Sequence, residues 1–581
     1  MKRKYHPINN AGFPQAVSIA ALLVVSACAA PHEDRLVDQS VGSAEQPKVT
    51  AEIAGEVTSA GAEGVTVTGS RVPGTKSRLK NLVARGSVGR PLAMAEMRSI
   101  VRGQPIDREN YARTDKNPVR AVADDPVSTF SVDVDTGSYS LVRDRLNQGR
   151  LPHVDAVRTE ELINYFSYDY PQPKGDTPFS VTTDALVTPW NKDTYLLRVG
   201  LQGKKMIEES RPAANLVLLL DVSGSMAAPD KLPLLTRSLE FMAGQLREDD
   251  RVSVVVYAGA AGLVLDVAKG TETTKIRNAL RGLNAGGSTA GGAGIKLAYA
   301  KAKEAFIEGG INRVLLATDG DFNVGVSGVD ELKTIIAANR ESGISLSTLG
   351  FGDGNYNDHL MEQAADVGNG NYAYIDNFRE AKKVLGDQLS ATIHTIAKDV
   401  KIQVEFNPAR VAEYRLIGYE NRILADEDFT NDKVDAGEIG AGHSVTALYE
   451  VALVGGKGTR LPARRYDAGP KQAAAPEVDE LAYVKLRYKP PASNTSIETT
   501  HIVHKSVLGP EQAPTQGLVH AAAVAAYGQL LSDNKYMGEF SLADAARLAA
   551  SVNKTGDEIR AEFVALAESA VELKAMQQSG R

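Results

Sequence analysis

The stretch Asn215–Met226, NLVLLLDVSGSM, constrains this chain more than any other. The unbroken aliphatic run Leu216–Leu220 is the pattern of a strand buried on both faces of a mostly parallel sheet. It stops at Asp221, small and polar residues follow (Ser223, Gly224, Ser225), and Pro233 suits the first turn of the next helix. Asp221, Ser223 and Ser225 are therefore expected in a crevice at the carboxyl end of a strand, where open α/β sheets bind ligands. All three offer hard oxygen donors, a chemistry that suits Mg2+, Mn2+ or Ca2+ rather than zinc.

Two later stretches join this one. Residues 284–291 read NAGGSTAG, a glycine-rich loop whose backbone can approach a ligand closely and which carries Thr289. NRVLLATDG is a second buried strand, ending in Asp319. The order D-x-S-x-S, then T, then T-D-G resembles the metal-ion-dependent adhesion site of von Willebrand factor type A domains, and the resemblance spans residues 214–397. It implies that Ser223, Ser225 and Thr289 bind a divalent cation directly or through water, and that Asp221 and Asp319 hold it mainly through bound waters. Two carboxylates would balance one divalent ion and leave it able to accept an acidic residue from a partner. The plainer reading of D-V-S-G-S, a strand-to-helix turn with Asp or Ser as cap, competes with one triplet but not with the three-part order.

Strand and helix patterns alternate from residue 214 to 397, predicting a doubly wound sheet with helices on both faces. His359 and His394 fall on expected helices away from the crevice. Alternating strands flank the domain: two before it (PFSVTTDALVTPW and DTYLLRVGLQGK) and five after it, from DVKIQVEFNP to IETTHIVHKS. That number suits one β-sandwich into which the A domain is inserted. His501 and His504 would point to opposite faces of their strand, which disfavours chelation by the pair. From Gln516 the chain is Ala-rich, and Ile559, Phe563, Leu566, Ala570 and Leu573 repeat at helical spacing, marking a buried face.

The beginning reads differently. Residues 1–27 have a basic start, an apolar run and small residues, the pattern of a secretory signal. The segment ends in VSAC, and Cys28 is the only cysteine of the 581 residues. It resembles the lipobox of bacterial lipoproteins, implying cleavage and a lipidated Cys28. Ala29 after it resembles, in a Gram-negative source, sorting to the outer membrane. A sole cysteine excludes an intrachain disulfide and a Cys-based metal site. Residues 28–121 are rich in Ala, Gly, Ser and Pro and read as a flexible tether. Within it GVTVTGSRVPG is similar to the segment before the plug of TonB-dependent receptors, although no barrel strands follow. Loss of Lys2, Arg3 and Lys4 with the leader would take the formal charge from −7 to −10, which gives nucleic-acid binding no electrostatic support.

DTGS at Asp135–Ser138 copies the catalytic loop of aspartic proteases, but no second copy supplies the partner carboxylate. D-V-D at Asp133–Asp135 hints at a phosphotransfer pair, with Thr136 one place too early. Both read as turn-and-cap chemistry. The surrounding region, residues 122–213, resembles the N-terminal part of one group of bacterial von Willebrand A-domain lipoproteins. Residues 398–508 are assigned to the sandwich and 509–581 to a helical region. The expected function is a lipid-anchored, divalent-metal-dependent binding module of the cell envelope, with an envelope or surface protein as partner. Alternatives are an envelope assembly scaffold, or a metal-dependent hydrolase. The last lacks any His or Glu with a predictable place beside the metal, so no enzyme is expected.

Overall fold

The computed structural model describes residues 109–206, 211–288, 291–320, 328–354, 356–462, 479–509, 513–533, 535–553 and 556–579. The leader, Cys28, the GVTVTGSRVPG stretch and Thr289 lie outside the described residues.

Four strands precede the A domain: β1 (Arg120–Ala121), β2 (Val127–Ser131), β3 (Phe179–Val187) and β4 (Tyr195–Gly203). Six build its sheet: β5 (Ala214–Asp221), β6 (Arg251–Tyr257), β7 (Ala261–Lys269), β8 (Ile311–Thr318), β9 (Ser345–Phe351) and β10 (Tyr372–Ile375). Six follow: β11 (Thr395–Phe406), β12 (Val411–Ile417), β13 (Ile439–Gly440), β14 (Ser444–Leu453), β15 (Glu480–Lys489) and β16 (Ile497–His504).

The central sheet has the order β10-β9-β8-β5-β6-β7 and is parallel except for β7. The aliphatic run of β5 is explained by its two covered faces. Leu216, Leu218 and Leu220 pack with Leu235, Leu239 and Ile276 on one side. Val217 and Leu219 pack with Ile295, Ala298 and Ile336 on the other.

The flanking strands form two further sheets. One has the order β1-β12-β14-β4-β3; the other runs β13-β11-β15-β16, with β2 paired to β11. Each contains strands from both sides of the A domain, and their facing side chains share one core that includes Phe130, Leu197, Val199, Ile402, Val404, Tyr449 and Val484. The A domain is thus inserted into a sandwich. The outer face of β4, β12 and β14 (Leu196, Ile417, Leu448) is covered by helices from the N-terminal region and by Gln516–Ser532, Leu542–Ser551 and Glu558–Ser579. Phe563, Leu566 and Ala570 are buried there, with Ile559 and Leu573 partly so.

Several elements depart from the sequence expectations. Residues 109–121, read as tether, are packed on the fold: Glu109 pairs with Arg145, Asn117 Nδ2 donates to the Leu416 and Gly418 carbonyls, and β1 pairs with β12. VSTFS, part of the stretch read only for its turns, is strand β2. The helix expected over residues 378–396 is broken by a π-turn at Lys383–Asp387, where Gly386 lies against the Phe241 ring and Lys383 folds over the Tyr165 ring at 3.1 Å. His394 consequently sits between that helical run and β11 rather than on a helix.

Candidate functional site

Asp221 and Thr318 end β5 and β8, two neighbouring central strands, so their side chains emerge at the carboxyl edge of the sheet. Both Asp221 oxygens are engaged: Oδ1 accepts the Ser223 N–H at 2.8 Å and Oδ2 accepts the Thr318 hydroxyl at 2.9 Å. Ser223 Oγ and Ser225 Oγ lie 2.9 Å apart, Ser223 buried and Ser225 exposed. The glycine-rich loop is stitched to this turn by Gly224 N–H to Gly287 O at 3.0 Å and Gly286 N–H to Val222 O at 2.8 Å. Gly287 adopts φ +84°, a left-handed conformation that glycine takes without strain. Its loop is therefore fixed beside Ser223 up to Ser288, one residue short of Thr289.

Burial pushes the Asp221 carboxyl above its ordinary pKa; the charge of Asp319 adds to this, while bonds from Ser223 and Thr318 oppose it. Desolvation outweighs the mutual repulsion of the two carboxylates. Burial, and then the charge of Asp221, also hold the Tyr257 phenol well above its usual value.

Lys231 was not foreseen. Its Nζ donates to Asp319 Oδ2 at 2.9 Å, with the lysine side chain 9% exposed and the aspartate 0%. Its backbone caps the helix Leu232–Met242, whose Leu235 N–H donates to the Lys231 carbonyl at 2.8 Å. The stem runs over Gly352, which has φ +69°; a Cβ there would collide with the lysine's Cγ, Cδ and Cε. No sequence signal joins Lys231 to a carboxylate 88 positions away. The neutral balance expected for two carboxylates and a divalent ion is therefore corrected by one positive charge.

The donor set fits a hard divalent ion: two buried carboxylates and the Ser223–Ser225 hydroxyl pair, with Ser225 at the surface and no cysteine or histidine at the turn. Among the described residues no group of three or more His, Cys, Asp or Glu is arranged to hold a metal, so coordination would need hydroxyl oxygens and water. A groove of about 550 Å3 opens next to the turn, lined by Met226, Ala227, Leu232, Arg237 and Leu280 among others. His359 is expected away from the crevice, but its helix after β9 starts at the carboxyl edge, where Tyr356 and Asn357 lie against Gly320, next to Asp319. His394 sits just before β11, near Arg313 at the other end of β8. On β16, His501 shares a 3.3 Å contact with the Thr183 hydroxyl while His504 is exposed.

The remaining acidic candidates serve the packing. Asp135 Oδ1 accepts the Tyr372 N–H of β10 at 2.8 Å, and Asp133 Oδ1 accepts the N–H of Asp135 at 2.9 Å. Arg158 and Arg422 lie buried among Asp133, Asp135, Glu161, Asp358, Glu362 and Asp366, clamping the N-terminal region and the sandwich to the A domain.

This sheet order and this arrangement of three loops define a von Willebrand factor type A domain protein. Residues 215–387 match the von Willebrand factor type A domain family, residues 105–198 match a family described as von Willebrand factor, and residues 391–573 match "Uncharacterized protein YfbK, C-terminal". The chain belongs to the YfbK family: it is 45% identical over 470 residues to "Uncharacterized protein YfbK" of Escherichia coli strain K12, covering 79% of this chain and 80% of that one. It is also 32% identical over 187 residues to "Uncharacterized protein sll0103" of a Synechocystis strain, covering 32% of this chain and 43% of the relative. Among solved structures it is similar to "von Willebrand factor type A from Catenulispora acidiphila", with 15% identity, 66% of this chain and 89% of that one covered, and a TM-score of 0.38. The A domain is a module of protein-interaction or adhesion type, a class that is typically non-enzymatic.

Proposed function

We propose that the protein is a lipid-anchored binding module of the cell envelope, which holds a divalent cation at Asp221, Ser223, Ser225, Thr289 and Asp319 and captures an acidic residue of a partner protein. The observation that carries this reading is the pairing of two buried carboxylates with two hydroxyls, buried Ser223 and exposed Ser225, at the carboxyl edge of β5 and β8. A bound Mg2+, or Mn2+ or Ca2+ in its place, would supply a Lewis acid for a carboxylate oxygen. Ser223 and Ser225 would present hydroxyl oxygens to it, and Asp221, anchored by Ser223 N–H and Thr318, would hold the turn in shape. The adjacent groove offers the partner apolar surface around that contact.

Anchoring rests on Cys28 and on two acyl chains, since one chain gives only marginal membrane attachment. No helix among the described residues is long and apolar enough to cross a membrane. In a Gram-negative source the outer membrane is the proposed location. Cys28→Ser should remove lipid labelling and shift the protein to the soluble envelope fraction. Retention in the membrane fraction would refute the anchor.

A scaffold reading, with a structural A domain and contacts made by the sandwich, draws support from the buried ionic clamp between the two. Capture of envelope proteins on the protein lacking its first 28 residues, with Mg2+ and with chelator, separates the readings. Metal-dependent capture is expected; metal-independent capture would favour the scaffold.

A further inference from the structure

Resting on the metal-site reading above, we propose that Lys231 is a positioning residue that sets the charge of this site, trading metal affinity for affinity toward an acidic ligand. Three features make the lysine a built part of the crevice. Its Nζ binds Asp319 Oδ2 at 2.9 Å, a charge-assisted bond within a site where both side chains are removed from solvent. Its backbone is fixed as the cap of the helix Leu232–Met242, so the stem starts from one place. The stem then occupies the space left by the missing side chain of Gly352, directly after β9.

Two consequences follow from charge alone. Without a metal, Asp221, Asp319 and Lys231 together carry a single negative charge instead of two, so a divalent cation is attracted less strongly. With a metal, the same group carries a single positive charge instead of none, so a carboxylate arriving from outside is attracted more strongly. Low-dielectric surroundings amplify both effects relative to water. Lys231 also ties down one oxygen of Asp319, which limits the orientations open to the other.

The two effects have opposite signs, which a purely structural role would not produce. Full-length wild type, Lys231→Met and Lys231→Gln are titrated with Mn2+ alone, by calorimetry and by the Mn2+ spin-resonance signal. The Mn2+-loaded proteins are then titrated with acetate as a carboxylate probe. Removal of the charge should tighten Mn2+ by roughly tenfold and weaken acetate by a similar factor, an order of magnitude set by one unit charge at short range. Both variants should melt at a lower temperature than wild type without metal and recover with Mn2+, because Asp319 loses its counter-charge and then regains one. The glutamine variant retains a hydrogen-bond donor and guards against misfolding of the methionine variant. Unchanged affinities in both variants would overturn the role of Lys231 and leave the metal site standing. Weaker Mn2+ and weaker acetate together would reduce Lys231 to a structural support. Absence of Mn2+ binding by wild type would bring down the metal site itself, and this proposal with it.

Discussion

DVSGS at Asp221–Ser225 and DVDTGS at Asp133–Ser138 each follow a buried strand and each form an acidic turn that leads toward a helix. In the first, the strand is central in a parallel sheet, its carboxyl end lies open, and Ser225 reaches solvent. Two carboxylates, two hydroxyls and one lysine face a crevice. In the second, β2 pairs only with β11 as a regular strand partner, and its turn is pressed against β10 of the A domain. There six carboxylates share two buried guanidiniums, Arg158 and Arg422. Acidic residues alone do not make a binding site. What separates the two turns is access: the first keeps polar atoms that water or a ligand can reach, and the second spends its polar atoms on backbone amides and guanidiniums.

The largest effect that would test this contrast is at the seam. Arg158→Met leaves Glu161 and Asp358 without their cation in a buried setting, while Glu362 keeps Arg422. It should cost about 3–5 kcal/mol in urea unfolding, the range for a broken buried ion pair. Mg2+ affinity, measured on the folded variant, should not change; a matching loss of metal affinity would show that the two turns act as one unit.

The reciprocal change comes next. Asp221→Ala should lower Mg2+ affinity by roughly a hundredfold, and Thr289→Ala by roughly tenfold, in isothermal titration. The circular dichroism of Asp221→Ala should match wild type, because Ala fits the end of a strand. Equal Mg2+ binding by Asp221→Ala and wild type would remove the site assignment.

The smallest effect sharpens the contrast through pH. Glu160 is buried beside the seam, with its carboxyl raised to about 7, chiefly by burial and then by the charges of Glu420 and Asp133. Its Oε2 has no hydrogen-bond partner. A folded pKa above the unfolded one means that the folded state holds the proton longer. The stability this carboxyl contributes is therefore full below about pH 4.5 and is lost as pH rises through about 7, at most about 3 kcal/mol. Glu160→Gln should raise the melting temperature by a few degrees at pH 8 and leave it unchanged at pH 5. An equal shift at both pH values would show that the carboxyl stays ionised in the fold.

Much of this architecture was legible because its signals are local. The aliphatic runs of β5 and β8, the alternating strands on either side, and the apolar face of the last helix each report burial through periodicity. The three loops of the crevice could be read as one site because each closes its own strand or opens its own helix. Lys231 could not be read so. It sits among helix-start signals, and only the approach of β8 and Gly352 turns its ammonium onto Asp319. The π-turn at Lys383–Asp387 is a second example, since the Tyr165 ring under its Lys383 comes from more than 200 positions earlier in the chain.

The sequence by itself determined the doubly wound sheet, the insertion of that sheet between sandwich strands, and the donor types at the strand ends. Those follow from the hydrophobic effect acting on residues a few positions apart. The tertiary structure alone decided which acidic turn stays open, which arginines seal the other, and what charge the open site carries. Those depend on groups brought together from distant parts of the chain, whose desolvation and pairing no local pattern encodes.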